Sequence, residues 1–89
     1  MTQIFFHKTA RKQLVDLPRS AQVQIAQKLA FVEIEPFRYL ERLKNSELYK
    51  IRVGQYRLIC ELHSQTIVIY VLHVASRDKV YQFLKKKRF

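Results

Sequence analysis

The sequence predicts a small α+β protein with the element order β-α-α-β-β-β-α, in which an αα-hairpin packs on an antiparallel β-meander and a short helix closes the chain. Three observations carry this prediction. Apolar residues recur at helical spacing up to residue 35, the period changes to two from residue 48, and the sole glycine and both prolines fall at the expected joints.

Residues 3–7 (Q-I-F-F-H) read as a short, aromatic-rich strand. Ala10, Leu14 and Leu17 then predict a short amphipathic helix over 8–17, ended by Pro18. Arg19 or Ser20 opens a second helix with Ala21, Ile25, Leu29 and Val32 on one face. It must stop near Glu35, because Pro36 disfavours helix in the residue before it. The tight Leu17-Pro18-Arg19 corner makes the two an αα-hairpin. After a polar connector over 38–47, strands are expected at 48–53, 56–62 and 66–74. The last is apolar at both parities, so it should be central and covered on both faces. Ser76 can cap a final helix to about residue 86, packed through Val80, Phe83 and Leu84.

Eighty-nine residues suit one domain, 1–89. No stretch reaches the roughly 18 apolar residues of a membrane helix, so no membrane partner is expected. The N-terminus lacks a basic region ahead of a long apolar run, so no signal peptide is expected. One cysteine, Cys60, excludes an internal disulfide and suits a reducing cytoplasm; mid-strand among apolar residues, it reads as a buried thiol rather than a nucleophile. With His7, His63 and His73 scattered, neither a metal site nor any other cofactor is expected.

Charge narrows the partner. Seventeen Lys and Arg against seven Asp and Glu give a net charge of +10, a balance typical of proteins that meet polyanions. Residues 1–37 carry five basic and three acidic groups, and residues 38–89 carry twelve and four, so the polyanion should meet the C-terminal half.

Within that half, Y-K-I-R-V-G-Q-Y-R-L-I at 49–59 has Gly54 at its centre. A glycine followed by one polar residue is the mark of a two-residue type II′ loop. With Gly54-Gln55 in the loop, opposed residues sum to 109, so Val53 faces Tyr56, Arg52 faces Arg57, Ile51 faces Leu58 and Lys50 faces Ile59. Alternation then gives a core face (Tyr49, Ile51, Val53, Tyr56, Leu58, Cys60) and a face where Lys50, Arg52 and Arg57 converge. Like charges directly opposed destabilise a strand pair. A solvated polar face normally mixes signs, yet the one acid read onto this face is Glu61, at its far end. A phosphate suits such a cluster, since guanidinium forks bind it bidentately.

Arg77 and Tyr81 share a face of the final helix distinct from its packing stripe, pairing a phosphate contact with a stacking platform for single-stranded nucleic acid. Lys85, Lys86, Lys87 and Arg88 form a run that binds a phosphate backbone or solubilises the chain. His73 depends on the turn before it: an even loop points it to the core with Tyr56, an odd one places it beside Arg57. The even loop is the expectation.

The hairpin L-Y-K-I-R-V-G-Q-Y-R-L-I, the later S-R-D-K-V-Y and the element order resemble the RelE/ParE toxin superfamily of toxin–antitoxin systems, over essentially the whole chain. The RelE branch consists of ribosome-dependent endoribonucleases that cut mRNA in the decoding site. The resemblance implies that Lys50 and Arg52 lie in the active site, Arg57 on the scissile phosphate, Arg77 at a second phosphate or the leaving group, and Tyr81 against a base. It also implies a cognate, RelB-like antitoxin covering or displacing the basic site, a ribosome and mRNA as targets, and operator DNA bound mainly through the antitoxin. Such cleavage uses the 2′-hydroxyl as nucleophile and needs a base, charge stabilisation and a proton for the 5′-oxygen. Arg52 stands where some members have a second lysine, and arginine is a poor base, which leaves Lys50 as the base candidate. Ser76 stands where many relatives have a histidine, so no histidine acid is implied. Two alternatives remain: a ParE-like toxin that inhibits DNA gyrase without nuclease activity, and an RNA-binding module without catalysis.

Overall fold

The computed structural model describes residues 2–63, 67–76 and 78–79. Strand β1 (Gln3–Phe6) leads to helices α1 (Lys8–Val15) and α2 (Arg19–Ile34), a one-turn helix α3 (Pro36–Tyr39), a two-residue strand β2 (Glu41–Arg42), and strands β3 (Tyr49–Val53), β4 (Tyr56–His63) and β5 (Val68–Ser76). The strands form one sheet in the order β1-β5-β4-β3-β2. The chain is therefore α+β as expected, but the sheet is mixed: β3, β4 and β5 are the antiparallel meander, and β1 returns to pair parallel with β5.

Local chemistry sets the helices. His7 precedes α1 in an extended conformation, and its Nδ1 accepts the Thr9 N–H at 3.3 Å, a capping role that sequence spacing did not show. Gln22 reaches back from α2 and donates to the Val15 and Leu17 carbonyls, both at 3.0 Å, closing the corner around Pro18. Helix α2 ends at Ile34, just before Pro36, which opens α3 at the position where a missing N–H is harmless. The connector read as polar loop thus holds both α3 and β2.

Both long helices lie on one face of the sheet. Ala10, Ile25 and Val32 interlock there with Ile51, Val53, Leu58, Cys60, Ile69, Val71 and Val74, all buried. On the other face a smaller buried cluster of Leu48, Ile59 and Ala75 is joined by Leu43 and Leu72.

Strand β5 lies between β1 and β4, as its two-sided apolarity suggested, although Tyr70 stays exposed. It runs from Val68 to Ser76 rather than over 66–74. It also carries a bulge: Cys60 pairs with Val71 while Ile59 pairs with His73, so Leu72 is the extra residue. Gln13 of α1 holds this irregularity. Its Oε1 accepts the Val74 N–H at 2.7 Å, which leaves Nε2 to donate to His73 Nδ1 at 3.0 Å. His73 is thereby the tautomer protonated on Nε2. The connection before β5 keeps the even parity up to the bulge, and the bulge then moves His73 opposite Ile59. The helix expected over 76–86 lies outside the described residues, apart from Ser76, Asp78 and Lys79.

Candidate nucleic-acid interface

The β3–β4 hairpin has the register its loop dictates: Tyr49 opposite Cys60, Lys50 opposite Ile59, Ile51 opposite Leu58, Arg52 opposite Arg57 and Val53 opposite Tyr56. Gly54 has φ +58, while Gln55 is not among the positive-φ residues, the asymmetry a type II′ loop requires. The positive φ is what requires the glycine; a Cβ there would also lie 2.9 Å from the side-chain nitrogen of Gln24 on α2, the end of an exposed side chain that can swing aside. The hairpin tip is thus seated against the helix layer.

Lys50, Arg52 and Arg57 share the sheet face turned away from α1 and α2. Arg57 is half-buried, and its Nη1 donates to the Gly54 and Tyr56 carbonyls, both at 2.8 Å. A guanidinium carries five N–H donors, so one nitrogen anchors the group while the rest of the fork remains for a ligand. Its orientation is set before anything binds, which lowers the entropy lost on binding an anion.

The structure corrects one expectation about this face. Glu61 is not its only acid: β2 pairs with β3, placing Glu41 directly opposite Lys50. The Glu41 carboxylate lies 3.8 Å from Arg52 Nε, with the two side chains 48% and 61% exposed. An exposed pair at that separation contributes about 0–1 kcal/mol, comparable to the 0.2–1 kcal/mol of the opposed arginines. The face is therefore mixed in sign but remains cationic around the hairpin, with Lys50, Arg52 and Arg57 against Glu41 at one corner and Glu61 at the far end. A two-residue strand has too few positions to show a period.

Arg77, Tyr81 and Lys85, Lys86, Lys87 and Arg88 lie outside the described residues. Among the described residues no cluster of His, Cys, Asp and Glu could hold a metal ion. Cys60 is fully buried, and desolvation pushes its thiol up from the ordinary 9.0 to about 12, so it is no nucleophile at neutral pH. Among the described residues no helix is long and apolar enough to cross a membrane.

What this face can do chemically is hold a phosphodiester between two guanidinium groups and an ammonium, with a carboxylate beside them. Comparison with known structures finds the same fold in toxins. The chain is similar to a RelE toxin in the RelBE2 toxin–antitoxin complex of Mycobacterium tuberculosis, with a TM-score of 0.74 and 24% identity over 84% of this chain and 96% of that one. It is similar to the archaeal RelE–RelB complex of Pyrococcus horikoshii, with a TM-score of 0.72 and 25% identity over 85% of this chain and 94% of that one. It is also similar to an arginine-substituted Escherichia coli RelE bound to a RelB peptide, with a TM-score of 0.69 and 26% identity over 92% of each chain. No curated protein sequence matches the chain. The family model described as the ParE toxin of the type II toxin–antitoxin system parDE matches residues 4–81. Fold and family agree, and the chain belongs to the ParE toxin family of type II toxin–antitoxin systems, within the RelE/ParE toxin superfamily.

Proposed function

We propose that this toxin is an endoribonuclease that cuts ribosome-bound mRNA and so stops translation. The observation that supports this best is the direct opposition of Arg52 and Arg57 with Lys50 on the same face. A toxin acting by protein contact alone does not require such a cluster.

In the reaction, the 2′-hydroxyl attacks the adjacent phosphorus, the bond to the 5′-oxygen breaks, and a 2′,3′-cyclic phosphate and a 5′-hydroxyl result. Arg57, held by its two carbonyl contacts, takes the non-bridging oxygens as charge builds on them. Arg52 supplies the opposing fork and Lys50 the third positive charge. Of the groups on this face, Glu41 offers carboxylate oxygens beside Arg52 that can accept the 2′-hydroxyl proton, with the Lys50 amine as the other candidate. Arg77 and Tyr81 complete the reading as the leaving-group contact and a base-stacking ring, and the run from Lys85 to Arg88 as a backbone contact. The reaction needs no cofactor.

A cognate antitoxin is the natural partner, since the RelE relatives from Mycobacterium and Pyrococcus were solved in complex with one. It would neutralise the toxin by covering the basic face, and operator DNA would be reached through that complex. The site of action is the cytoplasm, where ribosomes are.

The second reading is inhibition of DNA gyrase without nuclease activity. It is favoured by the family match, which is to the ParE toxin. One experiment separates the two: the toxin is added to ribosomes programmed with a defined mRNA, and in parallel to a gyrase supercoiling assay. Cuts in the decoding site with supercoiling unaffected support the nuclease. Blocked supercoiling without cuts supports the gyrase reading.

A further inference from the structure

We propose that the same sheet face carries a second RNA subsite, a base-stacking platform centred on Tyr70 and bordered by Glu61. It rests on the reading of the hairpin cations as an RNA site. Strand β1 places Phe5 directly opposite Tyr70, and β4 places Glu61 on the other side of it. The Phe5 and Tyr70 rings are stacked with centroids 5.4 Å apart and planes at 27°, and His63 meets Tyr70 edge-on at 5.2 Å. Phe5 is 46% and Tyr70 39% exposed.

A lone exposed aromatic needs no explanation. Three rings from three strands hold one another in place while Phe5 and Tyr70 stay partly exposed to water, and such a row is a preorganised stacking site. Orientation links it to the hairpin. Arg57, Ile59, Glu61 and His63 alternate onto one face of β4, the face of Lys50 and Arg52. Four residues separate Arg57 from Glu61, about 13 Å along the strand. That is a span of a few nucleotides, so a strand whose phosphate sits between Arg52 and Arg57 can lay a neighbouring base on Tyr70. Between them lies the apolar cluster of Leu48, Ile59 and Ala75, which offers a phosphate nothing.

Glu61 gives the platform a preference. A carboxylate repels phosphate but accepts from base N–H groups, and guanine alone presents two adjacent donors, N1–H and N2–H, that match its two oxygens. The stacked base is therefore guanine. The competing occupant is a protein segment, because Phe5 also lines a cavity of about 500 Å³ with Ile34 at the β1 edge. The larger exposed apolar side chains, Phe31, Ile34 and Phe37, belong to the helical layer, whereas the platform shares its face with the cations.

The test is titration of the purified toxin with a short 2′-O-methylated RNA, which cannot be cleaved, carrying 2-aminopurine at one position as a stacking reporter. Quenching is expected on binding to the wild type. Tyr70→Ala should lose the quench and bind about five- to a hundred-fold more weakly, while Tyr70→Phe keeps both. Glu61→Gln, which leaves the ring stack intact, should abolish the advantage of guanine over adenine or uracil at the stacked position. RNA binding unchanged by Tyr70→Ala but weakened by Arg57→Ala would overturn the platform, leave the hairpin site standing and assign the aromatic row to a protein partner. Binding insensitive to both would overturn the hairpin reading as well.

Discussion

Arg52 stands directly opposite Arg57 across the β3–β4 ladder, and the carboxylate of Glu41, on the neighbouring strand, lies 3.8 Å from Arg52 Nε. Two cations opposed on adjacent strands work against folding, so their presence trades stability for something else. Arg52→Gln removes the repulsion from Arg57 and the Glu41 pair together, so it should change stability by less than about 1 kcal/mol. It should also slow mRNA cleavage. Urea denaturation beside a cleavage assay reads both, and a variant less stable yet fully active would contradict this trade.

Glu41 is where the catalytic reading is most exposed. Glu41→Gln keeps the shape and removes the base, so cleavage should fall by about 10²–10⁴-fold while RNA binding holds or strengthens. Single-turnover rates beside binding isotherms separate the two effects. An undiminished rate would return the proton transfer to Lys50.

At Gly54 the φ of +58 is the constraint, since the Gln24 side-chain end 2.9 Å from where a Cβ would sit can swing aside. Gly54→Ala should destabilise the protein by about 1–2 kcal/mol through the backbone conformation. Combining it with Gln24→Ala should recover little of that loss, as a double-mutant cycle measured by thermal melting would show.

Cys60 makes stability depend on pH at the alkaline end. Its thiol is raised from 9.0 to about 12 by burial, so above pH 9 the unfolded chain gives up a proton that the native chain keeps. The native state then holds more protons, and stability falls by about 1 kcal/mol per pH unit between 9 and 12. Cys60→Ala should flatten this slope in denaturation curves taken across that range. In the native wild type, iodoacetamide at pH 8 should leave Cys60 unmodified by mass spectrometry.

How much of this was legible in the sequence depends on how local the cause was. The hairpin register could be read in full, because one glycine beside one polar residue fixes the loop and the loop fixes every opposed pair. The αα-hairpin was equally plain from Pro18, Pro36 and the apolar spacing. The parallel pairing of β1 with β5 was hidden, since the two strands are joined only through the rest of the fold. Glu41 was missed because β2 is too short to carry a period, and Glu61 was read as the one acid of the cation face for that reason. The Leu72 bulge was hidden too: its stabilising partner, Gln13, lies on a helix some sixty residues away in sequence.

The central claim is that Arg57, fixed on the hairpin, stabilises a phosphodiester transition state. The most direct test is the single-turnover cleavage rate of a defined mRNA on programmed ribosomes, comparing wild type with Arg57→Ala. The rate should be lower by about 10²–10³-fold in the variant, with a 2′,3′-cyclic phosphate on the upstream wild-type product and no cut where that 2′-hydroxyl is methylated. Equal rates for the two proteins, or no cleavage by the wild type, would contradict it.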